Sequence, residues 1–288
     1  MNKQQTVLFT GATSGFGKVA ALSLAQMGFK IIALIRNEEK GKQLIKEFEL
    51  KNNEGQGSIE LLKGDLTSFE SIVKAFNIFQ EKYKQLDLLI NNAGVWNFER
   101  RKSSDKIEET FQVNVLAPML LIHLFGKLLS KSPNGKTINT SSMLHHGSIN
   151  FENIEGDGKF KGYDAYRQSK LSVILMTKLL SQKDKKNSLG IYSFHPGFIS
   201  TDLGRDANFF IRFFFKLAGS SVEKGAQTLI YLAITPKNEL VSGAYYANKK
   251  VTPSKPESNN LEMAGNLIVL AKKYLSDYIT EPSILFSN

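Results

Sequence analysis

The sequence predicts an α/β protein, a single-domain doubly wound parallel sheet of about seven strands with helices on both faces. Three observations predict it. Short apolar runs alternate with longer stretches of helical periodicity along the chain. The first run, residues 6–10, passes directly into a glycine turn, Gly11-Ala12-Thr13-Ser14-Gly15-Phe16-Gly17, which opens an amphipathic segment. No internal repeat or low-complexity linker interrupts the alternation, so residues 1–288 read as one domain.

Residues 6–10 are apolar enough for a strand buried on both faces. In the turn after it, glycines let the backbone approach a pyrophosphate, and a helix N-terminus offers roughly half a positive charge to an anion. The spacing is Gly-x-x-x-Gly-x-Gly, which a plain glycine turn also explains. Residues 31–35 form the second strand, and Arg36 follows at its end. An acidic residue at that place would hold a ribose 2′-hydroxyl, whereas an arginine accepts a 2′-phosphate. Arg36 therefore favours NADP(H) over NAD(H); the plain alternative is a surface arginine.

A charged helix over 39–51 and a turn over 52–57 lead to a third strand, 59–62, which closes with Gly64-Asp65-Leu66. Asp65 can accept a hydrogen bond from an adenine amino group, or cap the helix that starts near Ser68 and runs to about Tyr83. The fourth strand, 86–90, precedes Asn91-Asn92-Ala93-Gly94, small and amide residues suited to a close backbone passage. A long helix follows over 106–129. Asn114 is polar among apolar neighbours there, and Pro118 removes the donor that Asn114's carbonyl would use, which predicts a kink or a bound water. Asn114 reads either as a buried structural amide or as a link in a proton path.

The fifth strand, 137–140, ends at Ser141-Ser142, and a loop-rich stretch with His145 and His146 leads to Tyr166. Tyr166 and Lys170 lie four residues apart on a predicted helix, so they share a face with Cβ atoms about 5–6 Å apart. A free phenol titrates near about 10, and a neighbouring ammonium favours its ionised form. Taken alone the pair is equally a surface tyrosine beside a solvated lysine. The sixth strand, 189–194, precedes His195-Pro196-Gly197-Phe198-Ile199-Ser200-Thr201. Residues 198–221 read as a substrate loop, in which the aromatic run 209–215 is core, lid or membrane-surface contact. A helix over 222–234, a short strand over 243–246 and a C-terminal helix and tail over 249–288 complete the chain.

The chain has no cysteine, which excludes disulfides and thiol chemistry. With 37 Lys and Arg against 27 Asp and Glu, the net charge is +10, spread over the surface without a nucleic-acid recognition motif. The charge suits an anionic cofactor or weak contact with an acidic membrane surface. The two adjacent histidines have no carboxylates at ligand spacing, so no metal is expected. The chain enters an apolar strand directly after MNKQQ, and the reading shows no long apolar span, so a cytoplasmic protein without a transmembrane segment is expected.

Taken together, these motifs resemble the short-chain dehydrogenase/reductase family over roughly residues 6–246. They are Thr10-Gly11-x-x-x-Gly15-x-Gly17, Asp65-Leu66, Asn91-Asn92-Ala93-Gly94, Asn114, Ser142, Tyr166-x-x-x-Lys170 and His195-Pro196-Gly197, in that order. The wide gap from Ser142 to Tyr166 and the Ser-Ser-x-x-His-His segment make the chain similar to the retinol-dehydrogenase-like and WW-domain-oxidoreductase-like branch. It lacks the N-terminal apolar anchor of the membrane-bound members, so a retinoid substrate does not follow. The resemblance implies a Rossmann fold and an oxidoreductase that interconverts an apolar carbonyl compound and its alcohol. It implies that Tyr166 is the general acid/base, that Lys170 lowers the phenol's pKa and holds the nicotinamide ribose, and that Ser142 positions the substrate oxygen. Asn114 would hold a water that links Lys170 to solvent. Ser14, Gly15, Phe16 and Gly17, with Gly11 in the same turn, would meet the phosphates, and Arg36 the 2′-phosphate. Asp65 and Leu66 would meet the adenine, Asn91 and Ala93 the adenosine ribose, and Pro196, Gly197, Ile199 and Thr201 the nicotinamide. By the same analogy the chain forms a homo-oligomer through its two longest helices. A dinucleotide-binding redox sensor without chemistry is the alternative, and an epimerase or dehydratase with transient hydride transfer is a third.

Overall fold

The computed structural model describes residues 4–51, 57–184, 186, 188–197, 221–279 and 285–286. Its strands are β1 (Thr6–Thr10), β2 (Lys30–Ile35), β3 (Ser58–Lys63), β4 (Leu88–Asn91), β5 (Lys136–Thr140), β6 (Gly190–Phe194), β7 (Tyr245–Ala247) and β8 (Lys250–Val251). They form one sheet in the order β3-β2-β1-β4-β5-β6-β7-β8. All pairings are parallel except β7 with β8. This is one strand more than the alternation predicts. The addition is a two-residue edge strand reached through Asn248 and Lys249, both at positive φ (50° and 62°), as a tight hairpin requires.

Successive side chains of each strand feed opposite cores, as a pleated strand dictates. Val7 and Phe9 pack with helices α1 (Gly15–Gln26), α2 (Glu38–Lys51) and α6 (Val222–Ile234) on one face. Leu8 packs on the other with α3 (Phe69–Lys82), α4 (Glu109–Leu129), α5 (Gly162–Lys183) and α7 (Leu261–Tyr274). The strand order reverses direction between β1 and β4, so a crevice opens at their C-terminal ends, where ligands bind in open α/β sheets.

The irregularity expected near Pro118 takes the form of a π turn at Gln112–Leu116, in which the Ala117 N–H bonds the Gln112 carbonyl five residues back. Among the described residues α4 is the one helix long and apolar enough by composition to cross a bilayer, contrary to the sequence reading that no such span exists. Its most apolar window is 83% buried inside the fold, as a core helix is. α7 lies along α5, and Phe286 packs its ring against His123 of α4. Most apolar side chains of the two longest helices pack into this core within the chain.

Lys136, the first residue of β5, is fully buried beneath the C-terminus of α6. Its Nζ donates to the carbonyls of Leu232 (2.9 Å), Ala233 (2.7 Å) and Thr235 (2.6 Å).

Candidate active site

The glycine turn and the Asn91–Gly94 segment are laced together by two side chains, Thr10 and Asn92. Thr10 Oγ1 accepts the N–H groups of Asn92 (2.9 Å) and Ala93 (3.1 Å), and Asn92 Nδ2 donates to the carbonyls of Thr10 (3.2 Å) and Gly11 (3.1 Å). Gly11 has φ +72°, and a Cβ there would lie 2.8 Å from the Ala93 nitrogen; a Cβ on Gly17 would lie 2.4 Å from Asn92 Nδ2. These glycines admit the neighbouring loop, a role the sequence reading had given only to a phosphate. Phe16 packs its ring edge-on against Phe194.

A cavity of about 530 Å³ extends from this turn along the ends of β1, β2 and β4. Gly11, Thr13, Ser14, Arg36, Lys40, Asp65, Leu66, Ala93 and Arg101 are among its lining. Ser14 precedes α1 without capping it through its side chain, and the first turn of α1 carries no acidic residue, so the positive end of the helix faces this region unneutralised. Asp65 Oδ1 accepts the backbone N–H and the hydroxyl of Thr67, both at 2.9 Å. The N-cap of α3 is Ser68, which accepts the Ser71 N–H at 3.2 Å, so Asp65 braces the turn and does not cap the helix.

Asn91 departs from its expected place. It is the last residue of β4 and its amide is buried in the sheet, where Nδ2 donates to Asn139 Oδ1 at 2.9 Å. Asn91 is not among the residues that line the cavity, whereas Ala93, two residues beyond it in the loop, is. Pro196 and Gly197 follow β6, and the Gly197 N–H donates to His195 Nδ1 at 3.0 Å. They lie beyond the cavity lining. Ile199, Thr201 and the aromatic run 209–215 lie outside the described residues, as does the substrate loop except Ser221.

At the inner end of the cavity, Gly94 and Trp96 meet α5. A Cβ on Gly94 would stand 3.4 Å from Lys170 Nζ, and the Trp96 ring lies flat on that of Tyr166, with centroids 4.4 Å apart at 11°. Lys170 Nζ lies 5.5 Å from the centre of the Tyr166 ring and donates to the Thr140 carbonyl at 3.1 Å. Ser141 Oγ holds the Lys170 carbonyl at 2.8 Å, so the end of β5 grips that residue twice. The Ser142 hydroxyl faces the Tyr166 phenol and accepts the Leu144 N–H at 3.2 Å. Helical spacing thus puts Tyr166 and Lys170 together, and the end of β5 brings Ser142 to them.

The electrostatics differ from expectation. Burial pushes the Tyr166 phenol up to about 12, with the Ser142 hydroxyl acting in the opposite direction. Burial pulls the Lys170 ammonium down to about 8. The phenol is therefore protonated at neutral pH, whereas the sequence predicts that the lysine draws it toward ionisation.

Asn114 has a structural side chain. Its Oδ1 accepts the Val95 N–H (2.9 Å), and its Nδ2 donates to the Val95 carbonyl (2.9 Å) and to Ser169 Oγ (3.0 Å). Of its two readings the buried structural amide accounts for these bonds, since the amide fixes the segment that carries Gly94 and Trp96 against Lys170 and Tyr166. Sequence reasoning gave no side-chain role to Thr10, Asn92, Ser141 and Ser169, and it placed Trp96 only in an apolar pocket. The small or polar character of the first three beside named motifs is the only signal they gave. Among the described residues no three His, Asp or Glu side chains converge as a metal site would require.

Residues 5–209 match the short chain dehydrogenase family. The chain is a short-chain dehydrogenase. This dehydrogenase is 33% identical over 266 residues to retinol dehydrogenase 11 of Homo sapiens, a match covering 91% of this chain and 83% of the relative. It is 34% identical over 275 residues to retinol dehydrogenase 13 of Mus musculus, covering 91% and 81%. These relatives put it in the retinol-dehydrogenase-like branch of its family. A solved structure from Mycobacterium Paratuberculosis superposes with a TM-score of 0.76 at 26% identity, over 95% of this chain and 94% of that one. YwfH, an NADPH dependent reductase involved in Bacilysin biosynthesis, shares the fold with a TM-score of 0.69 at 20% identity, over 85% and 97%. The short-chain dehydrogenase is thus an α/β oxidoreductase of alcohols and carbonyl compounds that uses a nicotinamide dinucleotide.

Proposed function

We propose that this dehydrogenase is NADP(H)-dependent and interconverts an apolar carbonyl compound and its alcohol, with Tyr166 as the proton donor and acceptor. The observation that carries the reading is the buried phenol beside a serine hydroxyl and a lysine ammonium, packed directly behind Trp96 and Gly94, which line one end of a cavity whose other end is cationic. The residues present fit the dinucleotide: an uncapped helix N-terminus for a pyrophosphate, and Arg36 and Lys40 for a 2′-phosphate. Gly11, Thr13 and Ser14 would hold the phosphates, and Asp65 and Leu66 the adenine. When bound, NADPH supplies the hydride that reaches the carbonyl carbon.

The Ser142 hydroxyl positions the substrate oxygen by a hydrogen bond. Tyr166 passes its phenolic proton to that oxygen as the oxygen gains charge, and the reverse reaction returns it. The Lys170 ammonium stabilises the phenolate left behind. Trp96 and Phe98, stacked at 5.2 Å and 19°, extend an aromatic wall from Tyr166 that suits an apolar substrate. A panel of apolar aldehydes and ketones, read by loss of NADPH absorbance, tests the reading; no turnover of any member with either nicotinamide cofactor would overturn it.

Cofactor choice has its own test. Arg36→Asp removes a cation facing the 2′-phosphate and adds an anion, and a charge-assisted hydrogen bond is worth about 1.5–3 kcal/mol. The KM for NADPH should rise about 30- to 100-fold while that for NADH stays level or falls. An unchanged NADPH preference would place phosphate recognition elsewhere.

A further inference from the structure

Neither His145 nor Lys255 touches the cavity, yet one runs into Ser142 through the other. The Ser142 carbonyl receives two hydrogen bonds, from His145 Nδ1 at 2.6 Å and from the Tyr245 hydroxyl at 3.2 Å. The Lys255 backbone N–H donates to the other imidazole nitrogen, Nε2, at 2.9 Å. An amide N–H can only donate, so Nε2 carries no proton; a carbonyl can only accept, so Nδ1 carries it. The geometry therefore specifies a neutral ring in one tautomer. Around it the C-terminal strap is tied down twice more. Glu257 Oε1 accepts the Gly147 N–H at 2.9 Å, and Lys178 of α5 donates to Ser254 (2.7 Å), Ser258 (3.1 Å) and Asn259 (2.6 Å).

We infer that His145 is a positioning residue for the reaction: as a neutral, Nδ1-protonated imidazole it fixes the Ser142 backbone, and with it the hydroxyl facing Tyr166, to the C-terminal strap at Lys255. This rests on the reading of Ser142 as the group that positions the substrate oxygen. The charged and titratable groups facing the ring are Lys255 and Glu257 from the strap, His146 from its own loop, His195 after β6 and Tyr245 of β7. Burial holds the His145 pKa below its ordinary value, which agrees with a ring neutral at pH 7. Protonation would cost Lys255 its acceptor, so activity that depends on the ring falls on the acid side.

Two substitutions separate the two ends of the ring. Asparagine puts an amide N–H near the Nδ1 position and drops the acceptor for Lys255. Glutamine reaches the Nε2 position and drops the donor to Ser142. His145→Gln and His145→Ala should lower kcat about 10- to 100-fold, the scale of a small displacement at the reacting group. His145→Asn, which keeps the donor to Ser142 but not the acceptor for Lys255, should recover part of that loss and should lack the acid limb of the wild-type pH profile. NADPH affinity, read by quenching of Trp96, the single tryptophan of the chain, should hold in all three and shows that the variants are folded. Equal kcat in the Asn and Gln variants would overturn the inference. So would a wild-type ring found protonated on Nε2 by nitrogen NMR at neutral pH. The NMR result stands whether or not any carbonyl is turned over, so it fails separately from the proposed function.

Discussion

Tyr166→Phe should lower NADPH-coupled turnover by about 10²- to 10⁴-fold, the range that a positioned proton donor supplies, with NADPH binding nearly unchanged. Phenylalanine keeps the ring that lies 4.4 Å from Trp96, so the aromatic wall survives. The phenol's contact with the Ser142 hydroxyl is lost, worth at most about 0.5–1.5 kcal/mol, but a buried hydroxyl is removed with it. Neither term approaches the loss of the transferred proton. The pH profile gives the sign. With the phenol pushed up to about 12, Tyr166 stays protonated through the working range and does not set the alkaline limb. Lys170, pulled down to about 8, loses its charge well before an ordinary lysine would, so stabilisation of the phenolate fades as pH rises through about 8. The kcat/KM for carbonyl reduction should fall above that value, because this parameter reports the free enzyme, and Lys170→Met should abolish the limb along with most of the rate. A Tyr166→Phe enzyme that retained wild-type kcat would remove the phenol from the mechanism.

The pair at the centre of this prediction was legible because helical spacing is local: residues four apart must share a face, whatever the rest of the chain does. The alternation of strands and helices was legible for the same reason; the order of strands in the sheet was not, because alternation suits more than one doubly wound order. What the sequence could not carry is which group fills the space beside a small residue. Gly11 and Gly17 read as room for a phosphate, and Asn92 and Ala93 occupy part of that room. Asn91 and Asn92 are indistinguishable as letters, yet one ends β4 with its amide in the sheet and the other laces the glycine turn. Asp65 offered two roles because a carboxylate past a strand end suits both. The choice depended on Ser68 and Thr67, whose hydroxyls lay outside the motif. Pro118 signalled a break in α4, but a missing donor does not say whether a helix bends or widens, and here it widens into a π turn. The direction of the Tyr166 shift was misread because spacing reveals the neighbouring charge and hides the burial that outweighs it.

Lys136→Met should lower stability by about 3 kcal/mol while leaving turnover intact at temperatures where the variant is folded. The wild-type ammonium satisfies three carbonyls at the end of α6, Leu232, Ala233 and Thr235, in a fully buried place. Methionine fills much of the same volume and avoids the cost of burying a charge, which favours the variant. Against that, the three carbonyls keep their need for donors, and a buried polar group left unpaired costs about 1–3 kcal/mol. The carbonyls outweigh the relieved charge near neutral pH, because the negative end of the helix also favours a cation there. For a chain of this size the loss corresponds to a melting temperature lower by roughly 6–12 °C. The pH dependence distinguishes this from simple repacking. Burial draws Lys136 from its usual value of 10.5 down to about 7. Between those values the unfolded chain binds more protons than the folded one, so wild-type stability gains on the order of 1 kcal/mol per pH unit above about 7. The methionine variant has no such proton to lose and should stay level over the same interval. Lys136 begins β5 at the end opposite Ser142, so the wild-type and variant enzymes should share one kcat below the melting transition. Chemical denaturation of both proteins at pH 7 and 9 reads the two effects together, and parallel pH dependence would show that the lysine keeps its charge in the fold.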